Sequence, residues 1–229
     1  IDHSVAVKTK DIIVGNMPVD YSYIINKKLG NSSIENTIKA YVKKIDDPRV
    51  SLEKPSDLKS ALQAILFWNA LLWQTGHTLV GLGRLDKVLG VYEVPENAES
   101  LICDFLKTLH SEYTFKSASL KGDTGQLIIL GGVDTESGYF CNEYTRLFIK
   151  CLKKVHLPDP KILLRCSVAM PTDLLELSME CNATGIGSPL FSNDDTIIPY
   201  LIDFGYDRED AYNYGVSACW EPLSIGNSL

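Results

Sequence analysis

The sequence predicts an α/β protein whose strands pair in parallel. From Gln126 onward, short apolar runs of strand length alternate with longer stretches of helical periodicity. Glycine or proline bounds most of these runs, as expected where strands and helices end. This alternation of strand and helix favours a parallel sheet with helices packed on it.

Amphipathic helices precede the alternating region. Ser56 is the predicted N-cap of the first strong helix, whose apolar residues recur with helical spacing over Leu58–Leu72. A second helix is predicted over Glu99–His110, with its apolar residues on one side. A more weakly patterned candidate helix, Ile34–Ile45, comes before both.

Two buried strands and four helices are predicted in the alternating region. Gln126–Leu130 is a short apolar run closed by two glycines, which is typical of a buried strand. Lys161–Ser167 is the second strand, introduced by two prolines. A short extended segment is predicted over Val216–Trp220. The predicted helices are Asn142–Val155, Pro171–Ala183, Asp194–Phe204 and Asp207–Asn213.

Composition favours an enzyme that acts on small molecules. The 229 residues carry a formal net charge of -7, with 45% hydrophobic and 22% charged residues, which argues against a nucleic-acid-binding surface. The longest apolar stretch is too short to span a bilayer, and the polar N-terminus does not resemble a signal peptide. We therefore expect a cytoplasmic protein with no membrane or nucleic-acid partner.

We expect an N-terminal helical or irregular segment over 1–55 and one α/β domain over 56–229.

The sequence lacks the motifs of several common nucleotide-binding, hydrolase and metal sites. Gly81 and Gly83 are followed by Asp86 where a dinucleotide fingerprint needs its third glycine, and no G-x-S-x-G hydrolase motif occurs. The cysteines include no C-x-x-C pair, which removes the common zinc and thioredoxin-like sites, so no metal is predicted. His77 is better explained as a structural residue than as a catalytic one, and it is kept as a candidate at the edge of a pocket.

The strongest candidate for chemistry is the pair formed by Cys219 and Glu221. In an extended segment, side chains at i and i+2 project to the same side, with Cα atoms about 6–7 Å apart. The thiol and the carboxylate would then face one dry cavity, while Trp220 would point the other way and pack the loop against its support. Trp220 is also kept as a candidate for the substrate pocket. The spacing alone favours the alternative, a core cysteine beside a surface glutamate.

Longer motifs around this pair carry a family resemblance. SACWEP resembles the Gly-Cys-x-Glu-Pro loop of the glycyl radical enzymes, which include pyruvate formate-lyase, glycerol and propanediol dehydratases and choline trimethylamine-lyase. The preceding SPLFSNDDTIIPYLIDFGYDREDAYNYG resembles the family's Asn-Asp, Ile-Pro and Gly-x-x-x-Glu-Asp-Ala run. Upstream, LGRLDKVL, LIILGGV, Asn142-Glu143 and LPDPKILLR resemble further landmarks in the same order. The resemblance covers residues 60 to 229 approximately.

The resemblance implies both a fold and a mechanism. The fold is part of a ten-stranded barrel, with one half-barrel and its surrounding helices in this chain and the cysteine on an interior loop. Cys219 is implied to become the catalytic thiyl radical, which abstracts a hydrogen atom from a small substrate. Glu221 is implied to act as acid or base in eliminating water or an amine, as in a dehydratase or lyase.

The resemblance also implies partners. The radical is stored on a glycine outside this chain and is installed by a radical S-adenosylmethionine activating enzyme, with no other cofactor bound directly. A homodimer is compatible with the resemblance. Because the chain begins at Ile1 and ends ten residues after Cys219, we expect it to be part of a longer protein. By itself it is expected to be inactive unless another polypeptide supplies the glycine.

Departures from the family pattern leave alternatives open. Ala218 stands where pyruvate formate-lyase has a second cysteine, which argues against that enzyme's route of acyl transfer. Ala218 and Trp220 also depart from the commoner Gly-Cys-Val-Glu, so no substrate is implied. Acyl transfer of the formate C-acetyltransferase type from a 2-keto acid stays an alternative, and so does a catalytically silent truncated homologue.

Five further polar residues are weaker candidates for contact with substrate or for support of the site. Asp194 and Asp195 are candidates for the substrate pocket, although a helix N-cap role is favoured for them. Arg84 and Asp86 are predicted to form a structural ion pair, with a substrate contact by Arg84 as the alternative. Arg165, at the end of a predicted strand, has the same two interpretations.

Overall fold

The computed structural model describes residues 54–74, 81–110, 126–134, 138–216 and 221–224. The chain divides into two compact units, Ile1–His77 and Thr78–Leu229. The predicted helix Ile34–Ile45 and most of the predicted 1–55 segment lie outside the described residues, so both stay predictions. No helix among the described residues is long and apolar enough to cross a membrane.

Within the first unit, helix α1 spans Leu58–Gln74 and confirms the predicted helix. Its N-cap is Asp57, so the prediction of Ser56 is wrong by one residue. The Asp57 carboxylate accepts from the Ser60 backbone N–H at 2.8 Å, and the Ser60 hydroxyl accepts from the Asp57 N–H at 3.2 Å. These reciprocal bonds satisfy two donors at the start of the helix. The Ser60 N–H also lowers the pKa of Asp57.

The second unit is built on a parallel four-stranded sheet. Its strands are β1 (Gly83–Arg84), β2 (Ile128–Gly131), β5 (Ile162–Cys166) and β6 (Leu190–Asn193), in the order β1-β2-β5-β6. Two antiparallel hairpins accompany it, β3 (Val133–Asp134) with β4 (Gly138–Tyr139) and β7 (Tyr214–Val216) with β8 (Pro222–Ser224). The helices are α2 (Leu85–Leu89), α3 (Ala98–Leu109), α4 (Glu143–Val155), α5 (Thr172–Cys181), α6 (Asp194–Phe204) and α7 (Arg208–Tyr212).

Apolar sequence explains why β2 and β5 lie at the centre of the sheet. All four residues of β2 are buried, as are the first four of β5, which is what a parallel strand covered on both faces requires. Helix α3 packs against α4, and α4 against α5. Phe105 of α3 meets Phe148 of α4 edge to face, with ring centroids 6.4 Å apart. The predicted parallel α/β architecture is therefore confirmed.

The hairpin β7–β8 is anchored to the sheet through one apolar cluster. The residues of this cluster come from β2, β5, α6, α7 and β7, and Tyr214 and Val216 are among its buried members. Burying a valine, leucine or isoleucine side chain, such as that of Val216, is worth about 1.5–3 kcal/mol. The strand that precedes Cys219 in the sequence is thus held on the sheet. The buried members are Leu127, Ile129, Leu163, Ile198, Ala211, Tyr214 and Val216.

Candidate functional site

Polar side chains gather where the parallel strands end. Arg84 is paired with Ile129 and Arg165 with both Gly131 and Ser192, so register places them toward the carboxyl edge of the sheet. This edge is where ligands commonly bind in parallel α/β sheets. Arg84 and Arg165 are 4% and 0% exposed. Two buried guanidinium groups at one edge require partners, because an unpaired buried charge is strongly disfavoured.

Asp194 is the partner of Arg165, in a bidentate pair. Arg165 Nε lies 2.9 Å from Asp194 Oδ1, and Nη2 lies 2.8 Å from Oδ2. Both side chains have 0% exposure, so the pair is screened from water. The Asp194 carboxylate also accepts from the Val133 N–H at 2.6 Å and the Tyr214 hydroxyl at 2.6 Å. As the first residue of α6, Asp194 also benefits from the positive end of the helix dipole.

Arg165 and Asp194 together hold strand β7. The Arg165 guanidinium donates to the carbonyl oxygens of Tyr214 at 3.1 Å and Tyr212 at 3.0 Å. The same guanidinium lies 4.0 Å from the centre of the Tyr214 ring. Burial, together with the neighbouring Asp194 carboxylate, raises the pKa of Tyr214, so its hydroxyl stays protonated and donates to Asp194.

Arg84 and Asp86 do not form the predicted ion pair with each other. Each residue binds the backbone of Gly131 instead: Arg84 Nη2 donates to the Gly131 carbonyl at 2.7 Å, and the Gly131 N–H donates to Asp86 at 2.6 Å. Thr145 also donates to Asp86, at 2.8 Å. Burial is the main cause that lowers the pKa of Arg84 and raises the pKa of Asp86. Nε and Nη1 of Arg84 are buried without a hydrogen-bond partner.

Two glycines make these close approaches feasible. A Cβ on Gly132 would lie 2.8 Å from the Arg165 guanidinium, and one on Gly131 would lie 2.5 Å from the Tyr139 hydroxyl. Both glycines have positive φ, +121° at Gly132 and +65° at Gly131, which side-chain-bearing residues rarely adopt. The Tyr139 hydroxyl in turn donates to the Arg165 carbonyl at 2.6 Å. The Gly-Gly motif is therefore required by the packing of the buried arginine.

Asp194 and Asp195, at the start of α6, do not have the N-cap role that the sequence predicts. Asn193 is the N-cap, since its side chain accepts from the Asp195 N–H at 3.0 Å. Asp194 turns inward to Arg165, whereas Asp195 is exposed and accepts from the Val168 N–H at 2.8 Å. Asp194 is thus bound to protein partners, and Asp195 is directed to a neighbouring loop.

Of the Cys219–Glu221 pair, only Glu221 lies within the described residues. It is exposed, so the described residues do not form the predicted dry cavity around its carboxylate. Cys219, Trp220 and His77 lie outside the described residues, and their predicted roles stay predictions. The described part of the chain holds no group of three His, Cys, Asp or Glu residues arranged to bind a metal.

The hairpin register locates the loop that carries this pair. Val216 lies opposite Pro222 in the β7–β8 ladder, so residues 217–221 join two strands whose ends are paired. Tyr214 connects this hairpin to Asp194, and Tyr139 connects the hairpin β3–β4 to the backbone of Arg165. Neither tyrosine has a signal in the sequence that distinguishes it from other tyrosines. Their contacts are 20 and 26 residues away in the chain.

The chain is similar to known proteins over most of its length. The family model described as pyruvate formate lyase-like matches residues 39–229. A probable dehydratase of Escherichia coli strain K12, YbiW, is 26% identical over 192 residues, which are 75% of this chain and 24% of that protein. The chain thus spans about a quarter of the length of this relative.

Two solved structures share the fold. The glycerol-bound form of the B12-independent glycerol dehydratase from Clostridium butyricum is similar with a TM-score of 0.67 and 24% identity, over 96% of this chain and 28% of that one. A glycyl radical enzyme from Archaeoglobus fulgidus is similar with a TM-score of 0.68 and 20% identity, over 92% and 29%. The sheet and its helices are therefore part of the glycyl radical enzyme barrel. With the family match, these likenesses establish that the chain belongs to the pyruvate formate lyase-like family of glycyl radical enzymes.

Proposed function

We propose that this chain carries the catalytic loop of a glycyl radical dehydratase or lyase. Cys219 is the thiyl residue, and Glu221 is the acid or base that assists elimination. The substrate is a small molecule with a hydroxyl or amino group next to the carbon that loses hydrogen. This proposal concerns the complete protein, of which the chain covers about a quarter by comparison with its relatives.

The observation that carries the proposal is the attachment of the hairpin β7–β8 to the sheet. Tyr214 and Val216 are buried in the apolar cluster, and Arg165 binds the backbone of β7. Val216 and Pro222 are paired, so the loop that contains Cys219 begins and ends at a fixed point. Strands that are paired with each other and packed on the sheet on either side of Cys219 suit a reaction that requires a sulfur atom at a set distance from substrate.

Cys219 supplies chemistry that the sequence context fits. The Cys219 thiol gives its hydrogen atom to the glycyl radical, so that the S–H bond breaks, a glycine C–H bond forms and the sulfur becomes a thiyl radical. The Cys219 sulfur then takes one hydrogen atom from substrate carbon, so that an S–H bond forms and a C–H bond breaks. The same S–H returns a hydrogen atom to the product radical, which restores the thiyl. We propose that a radical S-adenosylmethionine enzyme installs the glycyl radical and that the reaction takes place in the cytoplasm.

Glu221 handles the proton. After the substrate carbon has lost its hydrogen atom, the Glu221 carboxylate can take the proton of a substrate hydroxyl, which assists departure of the leaving group from the adjacent carbon. The Glu221 carboxylic acid can then give that proton to the leaving group. The carboxylate is exposed among the described residues. We propose that other parts of the complete protein close over Glu221, because exclusion of water strengthens its interactions with substrate and protects the radical.

The test is product formation by the protein expressed from its complete gene and activated without oxygen. Glycerol and other small 1,2-diols are the first substrates, with aldehyde formation as the readout. Cys219→Ser is expected to abolish turnover, whereas Cys141→Ser, a half-buried cysteine before α4, is expected to retain it. Turnover by Cys219→Ser would refute the proposal. A product that forms only with coenzyme A and a 2-keto acid would favour acyl transfer instead.

A further inference from the structure

Strand β7 is held by more than its hairpin. The Arg165 guanidinium uses Nη1 and Nη2 to bind the carbonyl oxygens of Tyr214 and Tyr212, at 3.1 Å and 3.0 Å. Its Nε is bound to Asp194 at 2.9 Å. All three nitrogens of the buried cation are therefore in use, and two of them bind backbone that leads directly to residues 217–221.

The side chain of Tyr214 adds a second connection. Its hydroxyl donates to Asp194 at 2.6 Å and lies 2.9 Å from the Ser192 hydroxyl. Ser192 is in β6 and Arg165 in β5, so the strand is held against two strands of the parallel sheet. Tyr214 is 0% exposed, which leaves this hydrogen-bond network without competition from water.

Such a network is poorly explained by stability alone. A buried ion pair returns little net stability after the cost of desolvation, and apolar residues of similar volume often serve as well. Apolar residues, however, could not bind two backbone carbonyls and a tyrosine hydroxyl in fixed directions. The arrangement determines where a particular piece of backbone lies, and that backbone ends three residues before Cys219.

We propose that Arg165 is a positioning residue for Cys219, because it fixes the backbone of the strand that precedes Cys219. Asp194 orients the guanidinium by binding it bidentately, and Tyr214 ties the strand to Asp194. The inference rests on the proposed function, in which Cys219 must meet a substrate carbon. It gives Arg165 and Asp194 no contact with substrate.

Two variants separate positioning from folding. Arg165→Lys keeps the charge but has a single nitrogen, so it cannot bind Asp194 and both carbonyls together. Tyr214→Phe removes one hydroxyl and keeps the ring, so it tests the same network if Arg165→Lys folds poorly. Arg146→Lys is the matched control, since Arg146 pairs with Asp173 at 2.7 Å on the surface.

Two measurements on the protein from its complete gene decide the matter. In Arg165→Lys and Tyr214→Phe, backbone hydrogen exchange in β7 and β8 is expected to rise about 10-fold, with exchange in β2 and α4 unchanged. At equal glycyl radical content, kcat is expected to fall about 10- to 100-fold with KM near its original value. Arg146→Lys is expected to change neither.

Three results would overturn the inference. They are unchanged kcat in both variants, a rise in exchange throughout the sheet in both, or a loss that appears only in KM. The outcome for Cys219→Ser is read separately. If Cys219→Ser retains turnover, the proposed function fails, whereas faster exchange confined to β7 and β8 would still show that Arg165 holds this strand.

Discussion

Arg165 and Asp194 place opposite charges 2.8 Å apart in a region where neither meets water. Desolvation offsets most of the attraction between them, so the intact pair adds little net stability. Removal of one partner is different, because the other charge stays buried without compensation. Asp194 would retain the Val133 N–H and the Tyr214 hydroxyl as donors, but neither carries positive charge.

Arg165→Met is therefore expected to lower the free energy of unfolding by about 3–5 kcal/mol. Urea denaturation at neutral pH measures this change. Arg146→Met, which breaks the exposed pair with Asp173, serves as the control and is expected to cost far less. Equal losses in the two variants would show that burial of the Arg165–Asp194 pair has no energetic consequence.

Tyr144 gives the fold a dependence on alkaline pH. It is 1% exposed, its hydroxyl donates to the Glu93 carbonyl at 2.9 Å, and burial raises its pKa from 10.0 to about 12. Between these values the unfolded chain loses the tyrosine proton while the folded chain keeps it. The contribution of Tyr144 to the free energy of unfolding is fully present below the pKa of the unfolded chain and is lost as pH rises through the pKa of the folded chain.

Unfolding free energy is thus expected to decline above about pH 10, and the decline should be shallower in Tyr144→Phe. Urea denaturation at a series of alkaline pH values measures the two slopes. Comparison of slopes removes the constant loss of the Glu93 hydrogen bond in the variant. Identical slopes would contradict the assignment of a raised pKa to Tyr144.

Glu221 is the residue whose proposed role is proton transfer. Glu221→Gln keeps the size of the side chain and removes its ability to take a proton. We expect kcat to fall about 10²- to 10⁴-fold, the usual contribution of general acid–base catalysis, with the glycyl radical content unchanged. Glu209→Gln, at an exposed position of helix α7, is the control. Full activity in Glu221→Gln would exclude Glu221 as the acid or base.

At the scale of elements, helix α4 depends on Asn142. Its side chain accepts from the Thr145 N–H at 3.0 Å, and the Thr145 hydroxyl accepts from the Asn142 N–H at 3.0 Å, which forms a capping box. The Asn142 amide also donates to the Asp86 carbonyl at 2.8 Å and so connects α4 to α2.

Replacement of Asn142 by alanine is expected to lower the free energy of unfolding by about 0.5–2 kcal/mol through loss of the cap. Asn142→Ser retains a capping acceptor but loses the donor to Asp86, so the difference between the two variants isolates the cap. Thermal or urea denaturation provides the values. An equal loss in both variants would assign the whole effect to the contact with α2.

Most of the elements that the sequence predicts have long periodic or wholly apolar patterns. Helices α1, α3, α4, α5 and α6, the short helix α7 and strands β2 and β5 are confirmed, to within a few residues at their ends. Of the predicted extended segment Val216–Trp220, only Val216 lies within the described residues, and it ends β7. The sequence does not predict β1, β6 or helix α2. Strand β1 has two residues, α2 has five, and Leu190–Asn193 lacks both alternation and β-branched side chains.

The contacts of Arg165 and Asp194 could not be predicted from the sequence, because they join residues that are far apart in the chain. Arg165 and Asp194 lie 29 residues apart, and only the pairing of β5 with β6 brings them together. Asn193, Asp194 and Asp195 are all good N-cap residues, so composition cannot select the one that caps α6. By contrast, the order of family motifs around Cys219 identifies the family without any contact information.

At the scale of the whole molecule, the sheet and the hairpin form a support for one loop. The parallel strands β1, β2, β5 and β6 end at a common edge, and side chains from that edge hold β7. The proposed function of this loop depends on the chemistry of Cys219, which the variant Cys219→Ser tests.

The most direct measurement is the movement of deuterium from substrate carbon in the activated protein. A glycerol-like diol labelled at the reacting carbon is compared in the original protein and in Cys219→Ser, at equal glycyl radical content. If Cys219 is the hydrogen-abstracting residue, labelling slows turnover in the original protein, and Cys219→Ser removes no deuterium from the substrate. Removal of deuterium by Cys219→Ser at the original rate would contradict the account.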